Sequence, residues 1–410
     1  MANTQYLISK KKEKKYLVII NLFSQINFAF FTIFFNIFTY QITQNINIVL
    51  LCLIVSRLSM TSIHYIAHYF HHRRTLDIMF RVGFLICILC TSLTFFITPE
   101  RLVLVFIVRI LYGISEGSFY IPYEISVMSK NSKNQMRKFV GAYDALGIVA
   151  AVLSPFISGY LIDYLSIKVL FIFMIICTII CFYISFQIHF MHDRIEHISL
   201  PKYLSVLRQD KYMQMGYFGY AIGVFAKNGA VENILPVLIF MKTGTNYSVG
   251  IYSALSALLC GIAIILYSQY CRKKHVGLWI NTIINIIVSF ILIASNSIVV
   301  FFIYYFIHNI NRVLMNTDIN SSLFVLTYHS ELQPYLIEHK TVYNTLATIT
   351  ISMSAGLCLL LYNFYSTALS ISIFLILSAL SQIISTILIY KSDNVLNKTK
   401  KFQYQIPNNI

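Results

Sequence analysis

Apolar residues along the chain gather into long runs separated by short polar stretches, and the length of a run decides what it forms. A hydrocarbon core about 30 Å thick takes roughly 20 apolar residues of helix to cross. Twelve runs approach or exceed that length. The first six are Tyr16–Phe38, Ile46–Phe70, Asp77–Ile97, Leu102–Tyr123, Phe139–Leu165 and Lys168–Phe190. The other six are Tyr212–Phe240, Tyr247–Tyr270, Val276–Ala294, Ile298–Leu326, Val342–Tyr362 and Ala368–Tyr390. Inside lipid every backbone amide must bond within its own segment, so the runs are predicted to be helices. The expected fold class is therefore an all-α membrane protein with twelve transmembrane helices. Composition agrees: 58% of residues are hydrophobic and only 11% charged, too apolar for a soluble domain of this size.

Charge adds orientation. Lys10, Lys11, Lys12, Lys14 and Lys15 precede the first run, and later clusters fall on alternate connections. These are Arg73 and Arg74; Lys130, Lys133, Arg137 and Lys138; Arg194, Lys202, Arg208 and Lys211; Arg272, Lys273 and Lys274; and Lys340. The other connections hold only Arg101, Lys168 and Lys242. Cytoplasmic loops carry the Lys/Arg excess, so both termini are expected in the cytoplasm. The net charge of +16 is then explained by topology and contact with anionic inner-leaflet lipid, and no nucleic-acid partner is expected. The first run is too long for a signal peptide and lacks a small-residue cleavage site, so it reads as a retained helix.

The longest connection follows the sixth run. It divides the chain into a basic tail at 1–15, a six-helix bundle at 16–190, a cytoplasmic linker at 191–211, a second bundle at 212–390 and a tail at 391–410. The halves rhyme. The fourth run carries Arg109 and Glu116, and the tenth, six runs later, carries Arg312 and Asp318. His71–Arg74 follow the second run as HHRR, and Cys271–His275 follow the eighth as CRKKH.

With those residues in view the chain resembles the major facilitator superfamily over its whole length. Arg109, Gly113, Gly117 and Pro122 are similar to that family's fourth-helix pattern. Ser154, Pro155, Ser158 and Gly159 resemble a degraded form of the glycine–proline motif of its exporters. Between the second and third runs only the basic end of the family motif survives, and His64 and His68 stand where it has Gly and Asp. The resemblance implies two six-helix bundles, alternating access, and a cavity lined by helices one, four, seven and ten.

Ionisable groups inside apolar runs mark mechanism. Each costs about 2.5–3.5 kcal/mol to insert on translocon scales, so such groups face the protein interior. They concentrate as Arg109 and Glu116, Lys227 and Glu232, and Arg312 and Asp318. At about 100° per residue Arg109 and Glu116 share a face two turns apart, with Gly113 between them leaving room for a ligand or a neighbouring backbone. The other two pairs diverge around their helices, so their partners are expected elsewhere. His308, Arg312, Asn316 and Asn320 form a polar stripe at intervals of four, read as cavity lining or interhelical bonding. In the first run Asn21, Gln25 and Asn27 offer neutral contacts. The substrate-binding set is thus Arg109, Gly113, Lys227, His308, Arg312, Asn316 and Gln25. Proton coupling is assigned to Glu116, Glu232, Asp318 and, less directly, Asp144. A cytoplasmic latch is assigned to Arg73, Arg74 or Arg81 with Glu124, Asp144 being a second acidic candidate for it.

Other chemistry recedes. Cys87 and Cys90 form a CxxC in mid-helix with no second ligand pair, and Cys177 and Cys181 sit similarly, so packing is expected. His64, His68, His71 and His72 lack the further ligands and outer shell of a metal site, and no metal or cofactor is expected. No GxxxxGK[ST] loop, serine elbow or HExxH helix appears, which argues against ATP-driven transport and against an enzyme. The expectation is a monomeric, proton-coupled secondary transporter of the bacterial inner (plasma) membrane. It would export a small organic solute, either drug-like or an anionic secreted metabolite such as a siderophore. Nutrient uptake is the alternative, and a lipid flippase or a non-transporting sensor is the alternative of another class.

Overall fold

The computed structural model describes residues 2–69, 73–130, 133–188, 199–270, 274–295, 297–328, 335–365 and 367–403. Side chains are described at 15–69, 76–123, 147–188, 199–226, 229–267, 277–295, 297–317, 335, 337–365 and 369–392. Among these residues the secondary structure is helical throughout, with no strand.

Twelve helices among the described residues are long and apolar enough to cross a membrane. They are α1 (Lys15–Thr43), α2 (Ile46–Tyr69), α3 (Leu76–Thr94), α4 (Val103–Tyr123), α5 (Gly147–Leu165) and α6 (Ile167–Ser185). The rest are α7 (Lys211–Thr243), α8 (Asn246–Tyr267), α9 (Gly277–Ala294), α10 (Ile298–Thr317), α11 (Ile337–Phe364) and α12 (Leu369–Ser392). Each overlaps one of the twelve apolar runs. Two are irregular where the runs look uniform. α1 passes through a π-helical turn at Phe30–Phe34, and α7 is interrupted at Gly229.

The chain forms two compact units, residues 1–195 with 230–261, and residues 196–229 with 262–410. In the first, α2 and α4 touch at their backbones because α4 presents glycine there. A Cβ on Gly113 would stand 2.2 Å from the Ser56 carbonyl oxygen, and one on Gly117 would stand 2.8 Å from that of Met60. Small residues at such spacing let membrane helices approach closely. α5 and α8 meet the same way, with the added Cβ of Gly250 falling 2.6 Å from the Pro155 carbonyl. Asp163 completes that contact. Its carboxylate accepts from the Asn246 side chain at 2.9 Å and from the Tyr247 backbone N–H at 2.7 Å, capping the N-terminus of α8, where amides lack intrahelical partners.

In the second unit the linker proves helical from Leu200 to Gln209. Tyr203, fully buried, anchors it. Its hydroxyl meets that of Tyr217 on α7 at 2.9 Å, and Tyr217 in turn bonds Nδ1 of His339 on α11. Burial holds the Tyr203 phenol above the ordinary tyrosine pKa. The Gln214 amide closes the other end of the linker helix by donating to the carbonyl of Arg208 at 2.6 Å.

Candidate functional site

The first unit gathers charge at one level. Gly113 and Gly117 bring the α2 backbone onto α4, and Arg57 of α2 thereby reaches Glu116 of α4, Nη1 to Oε1 at 3.8 Å. The Arg57 side chain is 24% exposed and that of Glu116 9%, so the pair is mostly withdrawn from solvent. Glu232, in the first turn after the α7 interruption, lies within electrostatic reach of both. Tyr112 and Tyr120 flank the pair. The Arg109 guanidinium is likewise within electrostatic reach of Glu116.

Arg109, two turns along α4 from Glu116, does different work. It is buried. Nη1 donates to the Phe31 carbonyl at 3.0 Å and Nη2 to Oδ1 of Asn36. Its guanidinium carbon lies 4.5 Å from the centre of the Phe35 ring and 6.0 Å from that of Tyr112. The accepting carbonyl belongs to the π turn, whose i→i+5 pattern departs from that of the regular helix. Asn36 continues the chain of bonds, donating to Thr32 O at 2.8 Å and to the backbone carbonyl and Oδ1 of Asn233 at 3.4 Å each. Arg109, Asn36 and Asn233 therefore tie α4 through α1 to the second half of α7, next to Glu232.

Gly113 makes room for the neighbouring α2 backbone. Gln25 donates to Asn21 within α1 at 3.3 Å, and Asn27 donates to Thr178 of α6 at 3.1 Å. His308 is buried and stacks on Tyr304, whose hydroxyl lies 3.3 Å from its Nδ1. Arg312 and Asn316, on the same helix, are half-buried. Arg81 lies over the Phe186 ring at 4.7 Å. The side chains of Arg73, Arg74, Glu124, Asp144, Lys227, Asp318 and Asn320 fall outside the described residues, as do His71 and His72. His64 is turned inward, its Nδ1 at 2.8 Å from the Met60 carbonyl. Cys87, Cys90, Cys177 and Cys181 are buried and free, and no three metal-ligating side chains group together among the described residues.

Arg57 went unmarked in the sequence because it stands alone in its run. The available signal was one arginine at the middle of a 24-residue apolar helix, with Ser56, Ser59 and Thr61 around it. Asn36 and Asn233 carried a weaker signal of the same kind.

Twelve membrane-crossing helices among the described residues, with buried charge inside them, define a multi-pass membrane protein. The model of the Major Facilitator Superfamily matches residues 74–327, well over half of the chain. The protein belongs to that family and is a transporter rather than an enzyme. Its fold is similar to that in a structure of a bacterial metal transporter, with a TM-score of 0.62 at 9% identity over 94% of this chain and 98% of that one. It is also similar to the crystal structure of a D-xylose–proton symporter, with a TM-score of 0.68 at 10% identity over 90% and 97% of the two chains. At these identities the likeness is one of fold. No curated protein matches the chain in sequence.

Proposed function

We propose that this transporter is a monomeric, proton-coupled exporter of a small organic solute in the bacterial inner membrane, with both termini in the cytoplasm. It works by alternating access of two six-helix bundles, residues 16–190 and 212–390. The observation that carries the coupling is the Arg57–Glu116 pair with Glu232 in reach. Glu116 lies between the attraction of Arg57 and Arg109 and the repulsion of Glu232, which makes it the natural seat of a proton or of a cationic part of the solute. A proton on Glu116 removes its attraction for Arg57, and an uncompensated buried charge is costly. Protonation and rearrangement of α2 against α4 are therefore linked. Arg109 is the positioning residue, fixing α4 to α1 and α7. The half-buried Arg312 and Asn316 offer contacts from α10. Asp318 and Asp144 remain secondary proton candidates, and Lys227 a secondary solute contact. Export follows from the degraded glycine–proline motif, whose Pro155 and Gly159 pack against α8.

The test begins by comparing retained and secreted metabolites in cells with and without the protein. The compound that differs is then loaded into proteoliposomes under an imposed pH gradient. Glu116→Gln, reconstituted at equal amounts of folded protein, is expected to abolish gradient-driven movement while leaving downhill exchange intact. Unaltered gradient-driven movement in Glu116→Gln would overturn the assignment.

A further inference from the structure

The second unit buries a polar seam that the reading above does not use. α9 carries Asn281, Thr282, Asn285 and Ser289 at helical spacing, and all four are buried. α12 faces them with Gln382 and Thr386: Asn285 Nδ2 donates to Gln382 Oε1 at 2.5 Å, and the Thr282 and Thr386 hydroxyls meet at 2.7 Å. α10 closes the third side. The Tyr304 hydroxyl lies near Ser289 of α9, and that proximity sets the register of two consecutive antiparallel helices. By helical spacing Asn285 then falls level with His308 one turn away, and Asn281 level with Asn311 and Arg312 a turn further.

Along this seam four side-chain atoms find no hydrogen-bond partner: Asn281 Nδ2, Asn285 Oδ1, His308 Nε2 and Asn311 Nδ2. The residues that bear them are 4%, 4%, 2% and 4% exposed. Leaving a buried donor or acceptor unmade costs about 1–3 kcal/mol, and four in one seam is too many for an interface serving only to join helices. The set contains amide donors, an amide acceptor and an imidazole nitrogen, which is what a molecule that both gives and takes hydrogen bonds requires. Buried water makes about three such bonds and gathers where polar groups would otherwise be orphaned. The amide oxygen and nitrogen of an Asn are assigned by their partners, but either orientation leaves one atom of Asn281 and one of Asn285 facing the seam. At one end Arg312 is half-buried, giving water a way in.

We infer that α9, α10 and α12 hold a short chain of ordered water, and that through it His308 exchanges protons with solvent although it is buried. Among the described residues Arg312, on its own helix, is the charged group within electrostatic reach of His308; Tyr304 stacks on it, and the seam residues of α9 and α12 are neutral. This site is independent of the Arg57–Glu116 pair, so either can fail without the other.

Hydroxyl-radical footprinting of the full chain in lipid nanodiscs tests the inference, since bound water delivers radicals to side chains that bulk solvent does not reach. The expected result is that His308 and Tyr304 are modified several-fold faster than the dry buried ring of Phe374 after correction for intrinsic reactivity. Asn281→Leu/Asn285→Leu should bring that rate down towards the Phe374 level. Rates at His308 and Tyr304 equal to that of Phe374 in the unaltered protein would overturn it, whether or not the variant folds. So would a folded double variant in which the His308 rate is unchanged. A rise in melting temperature when chloride replaces gluconate at constant ionic strength, lost in the double variant, would also overturn it, because the occupant would then be an anion.

Discussion

Around α4 in the first unit and along α9 and α12 in the second, polarity is buried in different currencies. The first buries charge: Arg57 against Glu116, with Glu232 near, and Arg109 wrapped in a carbonyl, an amide and two rings. The second is joined by neutral amides and hydroxyls, Asn285 on Gln382 and Thr282 on Thr386, although elsewhere in that unit α11 buries the Glu338 carboxyl. A charge withdrawn from water must be balanced or neutralised, so its surroundings change when a proton arrives. A neutral amide has no such dependence, and its bonds join helices in every protonation state. The contrast separates elements suited to switch from elements suited to hold.

The largest effect that would sharpen this contrast is expected at Arg57. Arg57→Met leaves the Glu116 carboxylate without its cation, which in buried pairs costs about 3–5 kcal/mol. Thermal melts in detergent should show that loss at neutral pH, and the loss should shrink as pH falls, because a protonated carboxyl needs no partner. Arg57→Met/Glu116→Leu should recover most of the stability and none of the gradient-driven transport. A single variant that melts like the wild type at neutral pH would remove the pair from the mechanism.

Next in size is Gly113. An added methyl there meets backbone, the Ser56 carbonyl at 2.2 Å, and not the tip of a movable side chain. Overpacking of this kind costs about 1–3 kcal/mol. Gly113→Ala should therefore lower the melting temperature and, by parting α2 from α4, weaken the influence of Arg57 on Glu116. Loss of stability with the pH dependence of transport retained would show that the helix contact and the ion pair are separable.

How much of this was legible in advance depended on dimension. Whether a run of residues can cross a bilayer is a property of the line, and all twelve helices could be read from it. Helix interruptions are not such a property. Phe30–Phe34 reads FFTIF, with neither Gly nor Pro to announce a π turn; the turn stands where α4 delivers Arg109 to a backbone carbonyl. Arg109 and Glu116 were legible as the charges of α4, and their shared face follows from spacing. Their partners were not, because pairing across helices depends on which faces meet, and Arg57 has no companion charge in α2. For His308 the periodic stripe showed a polar face, but only the packing shows that this face lies against Tyr304 and α9.

In the second unit the expected effect is smaller. Asn285→Leu breaks a neutral interhelical bond, and such bonds between membrane helices average about 0.6 kcal/mol with a maximum near 1.7. The loss should be insensitive to pH between 5 and 8, since no partner in the bond titrates. A loss that grew with pH, as that of Arg57→Met should, would erase the distinction between the two contacts.

The smallest effect has the opposite sign and tests whether glycine serves contact or flexibility. Gly147 of α5 and Gly356 of α11 both lie within helices, and a Cβ at either would meet nothing within 4 Å. Replacing an interior helical Gly by Ala removes backbone entropy from the unfolded chain and gains about 0.5–1 kcal/mol where the geometry permits. Gly147→Ala and Gly356→Ala should each raise the melting temperature slightly and leave transport unchanged, one in each unit. The same substitution at Gly113 is expected to do the reverse, although all three glycines are helical. If Gly147→Ala or Gly356→Ala stabilises the protein but slows transport, that glycine serves as a hinge, and its helix must bend during the cycle. If both behave as inert sites, the moving parts are confined to glycines that touch a neighbouring backbone and to the interrupted α1 and α7.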